Sequence, residues 1–291
     1  MSLRNLSGII PAAALAIAMV MGGCMKTDRN VGSVDTAIEH TDSAAIADTA
    51  ALADTPPAKA IPAGAQALVD AYPDMISGFE NNEIIFTDGS RMQYDDGREK
   101  DFATMLDDSD IEDMFSMTYE VKNPPEYLAD AGRSRSEALF KKMYGDSSGN
   151  VRKKLVNVDW FGQNVLFTSV NGAADSLRMV AAELARYPEL TKYLKSSGTF
   201  YWRTVRGAKR QSAHSYGIAF DIAVEYSDYW LWKNKNATET SKIQYANKIP
   251  QQLVEIFRKH GFIWGGAWYH FDTMHFEYRP EILNYAKINK P

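Results

Sequence analysis

Cysteine is almost absent from this chain of 291 residues, in which Cys24 is the only example. A chain with one cysteine cannot form an intramolecular disulfide. Outside the reducing cytoplasm, its stability must therefore come from a packed core rather than from covalent cross-links. The hydrophobic and charged fractions, 45% and 24%, are those of an ordinary globular protein and allow such a core.

An excess of positive charge is also absent, since the formal net charge is −5. Proteins that bind nucleic acid or an anionic membrane surface neutralise phosphates with clusters of lysine and arginine. The one local basic run lies within residues 203–210. The composition therefore argues against a nucleic-acid partner for the chain as a whole.

Long hydrophobic runs are missing too. The apolar stretch at residues 9–21 follows Arg4 and is too short to span a bilayer as a mature helix. The segment Met21-Gly22-Gly23-Cys24 resembles the bacterial lipobox, so residues 1–23 are predicted to be a lipoprotein signal peptide and Cys24 the lipidated residue. This predicts a lipid anchor in a membrane of the bacterial cell envelope, at the periplasmic or outer-membrane face. The alternative is an ordinary signal peptide with an incidental cysteine.

The rest of the chain divides by composition. Residues 24–65 are mostly alanine, threonine, aspartate, serine and proline, and cannot bury enough apolar surface to offset the entropy of ordering. They are predicted to be a disordered tether. A cluster of turn-forming residues at 145–150 then predicts a boundary between an N-terminal extension, residues 66–150, and a second domain, residues 151–291.

Periodicity predicts an α+β fold. Apolar residues recur with helical spacing in residues 173–186 and 250–260, which predicts two helices. Strands are predicted over residues 217–224 and 276–278, and a hairpin around an Asp-Gly turn over residues 84–94. The fold class is therefore α+β, in which a small antiparallel sheet is flanked by helices and preceded by the extension.

The extension contains an acidic run, residues 107–113. A calcium loop would alternate oxygen ligands around a central glycine and close with a glutamate, and the run lacks that spacing. Acidic side chains favour the positive end of a helix dipole. The run is therefore predicted to be a solvated helix start.

The candidate metal-binding and catalytic residues lie in two separate segments. In the first, residues 212–221, six residues separate His214 from Asp221. A turn at Tyr216-Gly217 followed by a short strand would let both side chains point at one metal ion. An aspartate in an apolar strand is costly to bury without a cation or several hydrogen bonds. The alternative is an acid that caps a local turn.

The second segment, residues 272–277, adds His275 as a third ligand. Three protein ligands leave the fourth position of a zinc ion open, as hydrolytic sites require. Asp272 is then the candidate to take a proton from the attacking water and return it to the leaving amine. Its alternative role is an acid that orients His275. The two segments together predict a Zn²⁺ hydrolase.

Three further side chains lie near these segments. Glu277 alternates with His275 along a predicted strand, so it projects to the same face, and a supporting role beside the ligand is favoured. His270 lies in an aromatic stretch and is predicted to pack or to form part of the substrate wall. Arg203 can stabilise an oxyanion or hold a substrate carboxylate. A surface arginine within the basic run is an equal alternative.

These residues resemble the family of VanY-like D-alanyl-D-alanine carboxypeptidases and L-alanyl-D-glutamate endopeptidases. The first half of the motif is matched by Ser212, His214, Gly217, Ala219 and Asp221. The second half is matched by Asp272, His275, Phe276 and Glu277, preceded by residues 264–268. The resemblance covers residues 156–285, whereas residues 68–150 have no counterpart in it.

The resemblance implies a zinc-dependent peptidase that acts on peptidoglycan stem peptides. An aspartate at the position of the base resembles the L-alanyl-D-glutamate endopeptidase branch more than the D-alanyl-D-alanine dipeptidase branch, and either bond remains open. By this resemblance, the zinc ligands are His214, Asp221 and His275, the catalytic base is Asp272, and Arg203 polarises the substrate. Ser212 and Glu277 are predicted to lie around the ligands.

Two other classes of function remain open. A non-catalytic zinc-binding cell-envelope module would use the same ligands without hydrolysis, as the hedgehog signalling domain suggests by analogy of fold. The presence of Asp272 argues against it. A structural envelope protein, whose histidines and aspartates only pack, would bind no stoichiometric metal.

Overall fold

A computed structural model describes residues 60–290, which belong to one compact unit, residues 57–291. The predicted signal peptide, the lipidation site Cys24 and the predicted tether up to residue 59 lie outside the described residues. Within residues 60–290, no helix combines the length and the apolar character needed to cross a membrane.

Helices and strands alternate irregularly along the described residues. The α-helices are α1 (Ala63–Ala71), α2 (Phe102–Asp107), α3 (Glu137–Tyr144), α4 (Ser148–Arg152), α5 (Ala173–Leu184), α6 (Trp230–Lys233), α7 (Gln251–Lys259) and α8 (Pro280–Ile288). The strands are β1 (Ile76–Glu80), β2 (Glu83–Phe86), β3 (Arg91–Gln93), β4 (Leu155–Trp160), β5 (Gln163–Thr168), β6 (Ala219–Asp221), β7 (Phe262–Trp264) and β8 (His275–Tyr278).

The strands form small antiparallel sheets, which confirms the α+β prediction. The first sheet has the order β1-β2-β3, and the second is the hairpin β4-β5. The third has the order β6-β8-β7, so β8 is its central strand. In this third sheet Phe220 pairs with Phe276, and the next pair in the same register places Asp221 opposite His275. The register therefore joins the two chemical segments directly.

An aromatic core supports the third sheet from behind. The rings of Phe257 on α7 and Phe276 on β8 stack with their centroids 3.9 Å apart. Trp160 on β4 lies 4.5 Å from Phe220 on β6. All four side chains are fully buried. Large rigid rings bury much apolar surface with little loss of rotamer entropy, which holds β6 and β8 at a fixed distance.

The predicted helices and the predicted hairpin are confirmed. The helix predicted over residues 173–186 is α5, and the one predicted over 250–260 is α7. The hairpin is formed by β2 and β3, and Gly89 has the positive φ of 80° that its turn requires.

Strand length was overestimated in the first chemical segment. The strand predicted over residues 217–224 is limited to Ala219–Asp221. The chain then leaves the sheet, since the amide of Ala223 donates to Tyr193 O and a short 3-10 helix, Val224–Tyr226, follows. The apolar run is buried by a neighbouring loop rather than by a longer ladder.

Order also begins earlier than predicted, because α1 starts at Ala63, within the predicted tether of residues 24–65. Gly64 and Ala65 are buried, and a Cβ on Gly64 would lie 2.5 Å from a ring carbon of Phe115. Small residues here permit close helix packing. By composition alone they are indistinguishable from a tether.

The predicted extension is not set apart from the rest. Helix α1 packs against α8, and the Tyr72 hydroxyl donates to Glu281 Oε2 over 2.7 Å. Residues 66–150 and 151–291 belong to the same compact unit. The turn at residues 145–150 is present, with a φ of 129° at Gly145, but it connects α3 to α4 within this unit.

The acidic run at residues 107–113 differs from its prediction as a solvated helix start. It follows the end of α2 and leads into a short 3-10 helix, Glu112–Phe115. Lys100 lies among its carboxylates, with Nζ 3.1 Å from Asp110 Oδ2 and 2.5 Å from Asp113 Oδ2. The Lys100 side chain is only 2% exposed. Sequence patterning missed this cation because it lies outside the run.

Candidate metal centre

His214 is positioned by a single 3-10 turn, Ala213–Tyr216, that ends at Gly217. Gly217 has a φ of 69°, and a Cβ at this position would lie 2.5 Å from Leu155 Cδ2. Only glycine accepts both the left-handed backbone and the close contact. The chain can therefore turn at once from His214 into β6, which carries Asp221.

Three side chains converge where β6 and β8 pair. Asp221 Oδ2 lies 3.2 Å from His214 Nε2, and Asp221 Oδ1 lies 2.8 Å from His275 Nδ1. One ligand atom from each of the three residues lies within 4.8 Å of the others. The structure thus brings together the three residues that were predicted as zinc ligands.

Hydrogen bonds on the far side of each ring determine which nitrogen faces this point. His214 Nδ1 lies 2.5 Å from Thr199 O, to which it donates, so its Nε2 carries the lone pair. His275 Nε2 lies 3.0 Å from Glu277 Oε1, which leaves Nδ1 towards Asp221. Such outer contacts commonly orient metal-binding imidazoles. Two oriented imidazoles and one carboxylate fit the donor set of a zinc ion.

Burial and mutual hydrogen bonds shift the pKa values of Asp221 and His275 in opposite directions. Burial alone would raise the pKa of the Asp221 carboxyl, but His214 and His275 hold it well below its usual range. Burial disfavours a charged His275, yet hydrogen bonds to Asp221 and Glu277 raise its pKa to about 10. The carboxylates of Asp221 and Glu277 therefore favour positive charge at His275.

Asp272 lies beside this cluster, just before β8. Its Oδ1 is shielded from solvent and has no hydrogen-bond partner among residues 60–290. Burial and the neighbouring charge of Asp221 raise its pKa to about 7, against the opposing effect of the two imidazoles. Buried polar atoms are nearly always paired. A carboxyl group with an unpaired oxygen and a raised pKa, beside three candidate metal ligands, is a candidate for proton exchange with a substrate.

Glu277, which was predicted to lie on the same face as His275, contacts its Nε2 and is itself bound by two arginines. Its Oε1 accepts from Arg135 Nη1 over 3.1 Å, and its Oε2 accepts from Arg279 Nη1 over 3.1 Å. Burial alone would raise the pKa of Glu277, but Arg135, His275 and Arg279 lower it, so that it stays ionised. Sequence reasoning missed both arginines. Arg135 is 142 residues from Glu277 along the chain, and no local pattern signals such a contact.

The three candidate ligands line a cleft of about 510 Å³, a size suited to a short peptide. Aromatic side chains of Tyr229, Trp230, Trp232 and Trp268 form part of its wall. Five arginines also line it, namely Arg133, Arg135, Arg203, Arg206 and Arg210. Two of them come from the predicted extension, so that region contributes directly to the cleft.

Arg203 and Ser212 lie in the cleft but outside the ligand cluster. Arg203 is exposed and donates from Nη1 to Thr204 O over 3.2 Å. Ser212 is buried, and its backbone amide donates to Arg203 O over 3.0 Å. The main chain of Ser212 therefore links the two residues. The structure brings neither side chain into contact with His214, Asp221 or His275.

His270 is a wall residue of the cleft and is fully buried. Its Nδ1 lies 2.5 Å from Asp130 Oδ2, and its ring lies 4.7 Å from Trp230, edge to face. Its Nε2 has no hydrogen-bond partner among the described residues and lies 3.6 Å from Glu239 Oε2. The packing role predicted for His270 is therefore accompanied by an ion-pair network. Asp130 belongs to the extension and could not be assigned from local sequence.

Comparison with known proteins identifies one segment. Residues 206–278 match the family model described as D-alanyl-D-alanine carboxypeptidase. This segment includes His214, Asp221, Asp272 and His275, but it begins after Arg203 and leaves out Arg135. No curated protein and no solved structure matches the chain. The match thus covers about a quarter of the 291 residues, within the wider range of the predicted resemblance.

Proposed function

We propose that this protein is a zinc-dependent peptidase that hydrolyses peptide bonds in peptidoglycan stem peptides. One observation carries the proposal. Three oriented ligands, His214, Asp221 and His275, converge in a cleft beside a buried carboxylate oxygen of Asp272 that has no partner. The match of residues 206–278 to D-alanyl-D-alanine carboxypeptidases supports the same class of substrate.

In this proposal the metal is held by His214 Nε2, His275 Nδ1 and a carboxylate oxygen of Asp221. Zinc supplies Lewis acidity, which acidifies water and polarises a carbonyl oxygen. Glu277 keeps His275 in the required orientation, and the Thr199 carbonyl does the same for His214. These two contacts orient the imidazoles for metal binding in the metal-free protein.

Asp272 moves the proton in this proposal. Its Oδ1 accepts a proton from the attacking water and returns it to the leaving amine, so one residue serves as base and then as acid. Burial and the charge of Asp221 raise the pKa of this carboxyl group, which favours uptake of a proton. Arg203, at the rim of the same cleft, is proposed to polarise the substrate carbonyl through its exposed guanidinium.

Two bonds are candidates. The aspartate at the position of the base favours an L-alanyl-D-glutamate endopeptidase, whereas the matched family model describes D-alanyl-D-alanine carboxypeptidases. A cell-envelope location suits either bond, because peptidoglycan lies outside the cytoplasm. We propose that Cys24 carries a lipid that keeps the protein near this substrate. A Cys24→Ser variant is expected in the soluble envelope fraction instead of the membrane fraction.

The proposal is tested with purified full-length protein, loaded with zinc and incubated with purified peptidoglycan. New amino groups are expected, and mass spectrometry of the released fragments identifies the bond. His214→Ala protein treated with zinc in the same way serves as the matched control, since it lacks one of the three proposed ligands. Absence of new amino groups with stoichiometric zinc bound would leave the non-catalytic zinc module as the better reading.

A further inference from the structure

A row of hydrogen-bonded polar side chains leads from the candidate ligand His275 into the core. Glu277 Oε1 lies 3.0 Å from His275 Nε2, and Glu277 Oε2 accepts from Arg279 Nη1 over 3.1 Å. Arg279 donates from Nε to Glu281 Oε1, and Glu281 Oε2 accepts from the Tyr72 hydroxyl over 2.7 Å. These five residues, the polar chain, connect the metal centre with the end of α1.

The polar chain is shielded from solvent beyond His275. The exposed fraction of Glu277 is 1%, and that of Arg279, Glu281 and Tyr72 is 0%. Removing charges from water is costly, and well-packed apolar side chains in place of a buried ion pair often give equal or greater stability. Stability alone therefore does not account for two carboxylates and a guanidinium in this part of the core. The contact with His275 points to a role at the ligand.

Arg279 is the central link of the polar chain. Its Nη1 also donates to Gly132 O over 2.8 Å, and its guanidinium lies over the Phe140 ring, 5.0 Å from the centroid. These contacts fix the guanidinium between Glu277 and Glu281, so that the two carboxylates share one positive charge. Glu281 thereby limits how strongly Arg279 binds Glu277.

The strength of that interaction affects His275. A carboxylate that accepts from the outer N–H group of a metal-binding imidazole orients the ring and makes its other nitrogen a better ligand. With a neutral residue at position 281, Arg279 would be drawn towards Glu277. Its Nη2, unpaired within residues 60–290, is free to bind the same carboxylate. Glu277 would then be a weaker acceptor for His275.

We propose that Glu281 and Tyr72 are positioning residues of the metal centre, which hold Arg279 so that Glu277 supports His275 and thereby raise the affinity for zinc. The inference rests on the proposed function, since zinc is the ion expected at this site. It adds residues from outside the two ligand segments. Tyr72 belongs to the predicted extension, and Tyr72, Arg279 and Glu281 all lie outside the matched residues 206–278.

The test measures the zinc affinity of the purified full-length protein by competition with a chromophoric chelator. Glu281→Gln removes the charge but keeps the shape, and it should raise the Kd for zinc about tenfold to a hundredfold, as loss of a partner of a metal ligand usually does. Tyr72→Phe removes one hydrogen bond to Glu281 and should raise the Kd by about threefold to tenfold. If circular dichroism shows that Glu281→Gln is unfolded, Tyr72→Phe decides.

A control and a second readout separate positioning from a loss of stability. Tyr119 is also buried, but its hydroxyl accepts from the backbone amide of Trp264 over 2.9 Å, so Tyr119→Phe should keep the zinc affinity. The proton resonance of His275 Nε2 in the zinc-loaded protein reports the hydrogen bond to Glu277. It should move upfield in Glu281→Gln and in Tyr72→Phe, and should stay in place in Tyr119→Phe.

The outcomes distinguish this inference from the proposed hydrolysis. An unchanged Kd in Glu281→Gln and Tyr72→Phe, or a higher Kd without a shift of the His275 resonance, overturns the positioning role even in a protein that cleaves peptidoglycan. A higher Kd together with the upfield shift supports it. That result stands even if the zinc-loaded parent protein releases no amine, which refutes only the hydrolysis. A parent protein that binds no stoichiometric zinc overturns both proposals.

Discussion

Two clusters of carboxylates in this molecule differ in how their negative charge is balanced. Around Lys100, three aspartates share one buried ammonium, with Asp96, Asp110 and Asp113 each within 3.1 Å of Nζ. Backbone amides complete the arrangement, since Asp110 and Asp113 each accept from the other's N–H group. Lys100 supplies the positive charge of this cluster, so these carboxylates do not require a bound metal ion to balance them.

The cluster at β6 and β8 contains imidazoles in place of a lysine. Asp221 is balanced only by the imidazoles of His214 and His275, and Asp272 Oδ1 has no partner at all among the described residues. Burying unpaired charge and polar atoms costs free energy. The charges around Lys100 are therefore balanced within the chain, whereas the burial of Asp272 Oδ1 without a partner costs stability. Three or more acids close together do not by themselves indicate a metal site.

The largest expected difference between the two clusters is the loss of zinc binding when a residue of the β6–β8 cluster is replaced. His275→Ala removes one of three ligands and should abolish stoichiometric zinc binding, because the two remaining ligands cannot hold the ion against solvent. Elemental analysis after dialysis checks this. His260→Ala is the matched control, since His260 binds Glu183 at the end of α7 and should not affect zinc content. Zinc retained by His275→Ala would contradict the ligand assignment.

A second effect concerns the pH dependence of stability in the metal-free protein. The pKa of Asp272 is about 7 in the folded state, above the 3.8 of an unperturbed aspartate. Between these values the folded protein keeps a proton that the unfolded chain has lost, so the free energy of unfolding falls as pH rises. This group alone accounts for a loss of about 4 kcal/mol at most.

Asp272→Asn removes that dependence because asparagine mimics the neutral acid. The metal-free variant should match the parent protein near pH 4 and should be more stable at pH 8. Chemical denaturation at both pH values, with zinc removed by chelation, measures the difference. Equal stabilities at pH 8 would show that Asp272 ionises freely in the fold.

A smaller effect is expected at the other cluster. Lys100→Met leaves its carboxylates without their cation and should lower the free energy of unfolding by about 1–3 kcal/mol, since Asp96 and Asp110 are partly solvated. Zinc content and turnover should stay unchanged. Lys142→Met, which removes an exposed ion pair with Asp88, should barely alter the melting temperature. Zinc loss in Lys100→Met would show that the clusters are coupled.

Local sequence patterns were sufficient for some parts of this molecule. The helices α5 and α7 follow from apolar spacing, and the β2-β3 hairpin follows from its Asp-Gly turn. The ligand cluster was also predictable, since its members lie in two short segments that each carry a signature. Antiparallel pairing then places Asp221 opposite His275.

Other parts depend on contacts between distant residues. Arg135 reaches Glu277 across 142 residues, and Asp130 reaches His270 across 140. Neither residue differs in local sequence from a surface charge. The unpaired state of Asp272 Oδ1 could not be foreseen either, because it depends on which side chains fail to reach it. Burial and pairing are properties of the tertiary structure, and they carry the functional information here.

One measurement decides whether Asp272 moves the proton at a zinc centre formed by His214, Asp221 and His275. Turnover of a stem peptide by zinc-loaded Asp272→Asn protein is compared with that of the parent protein at equal zinc content. We expect full zinc occupancy and a rate lower by about 10²–10⁴-fold, the usual contribution of general acid–base catalysis. A rate close to that of the parent protein, with zinc still bound, would contradict it.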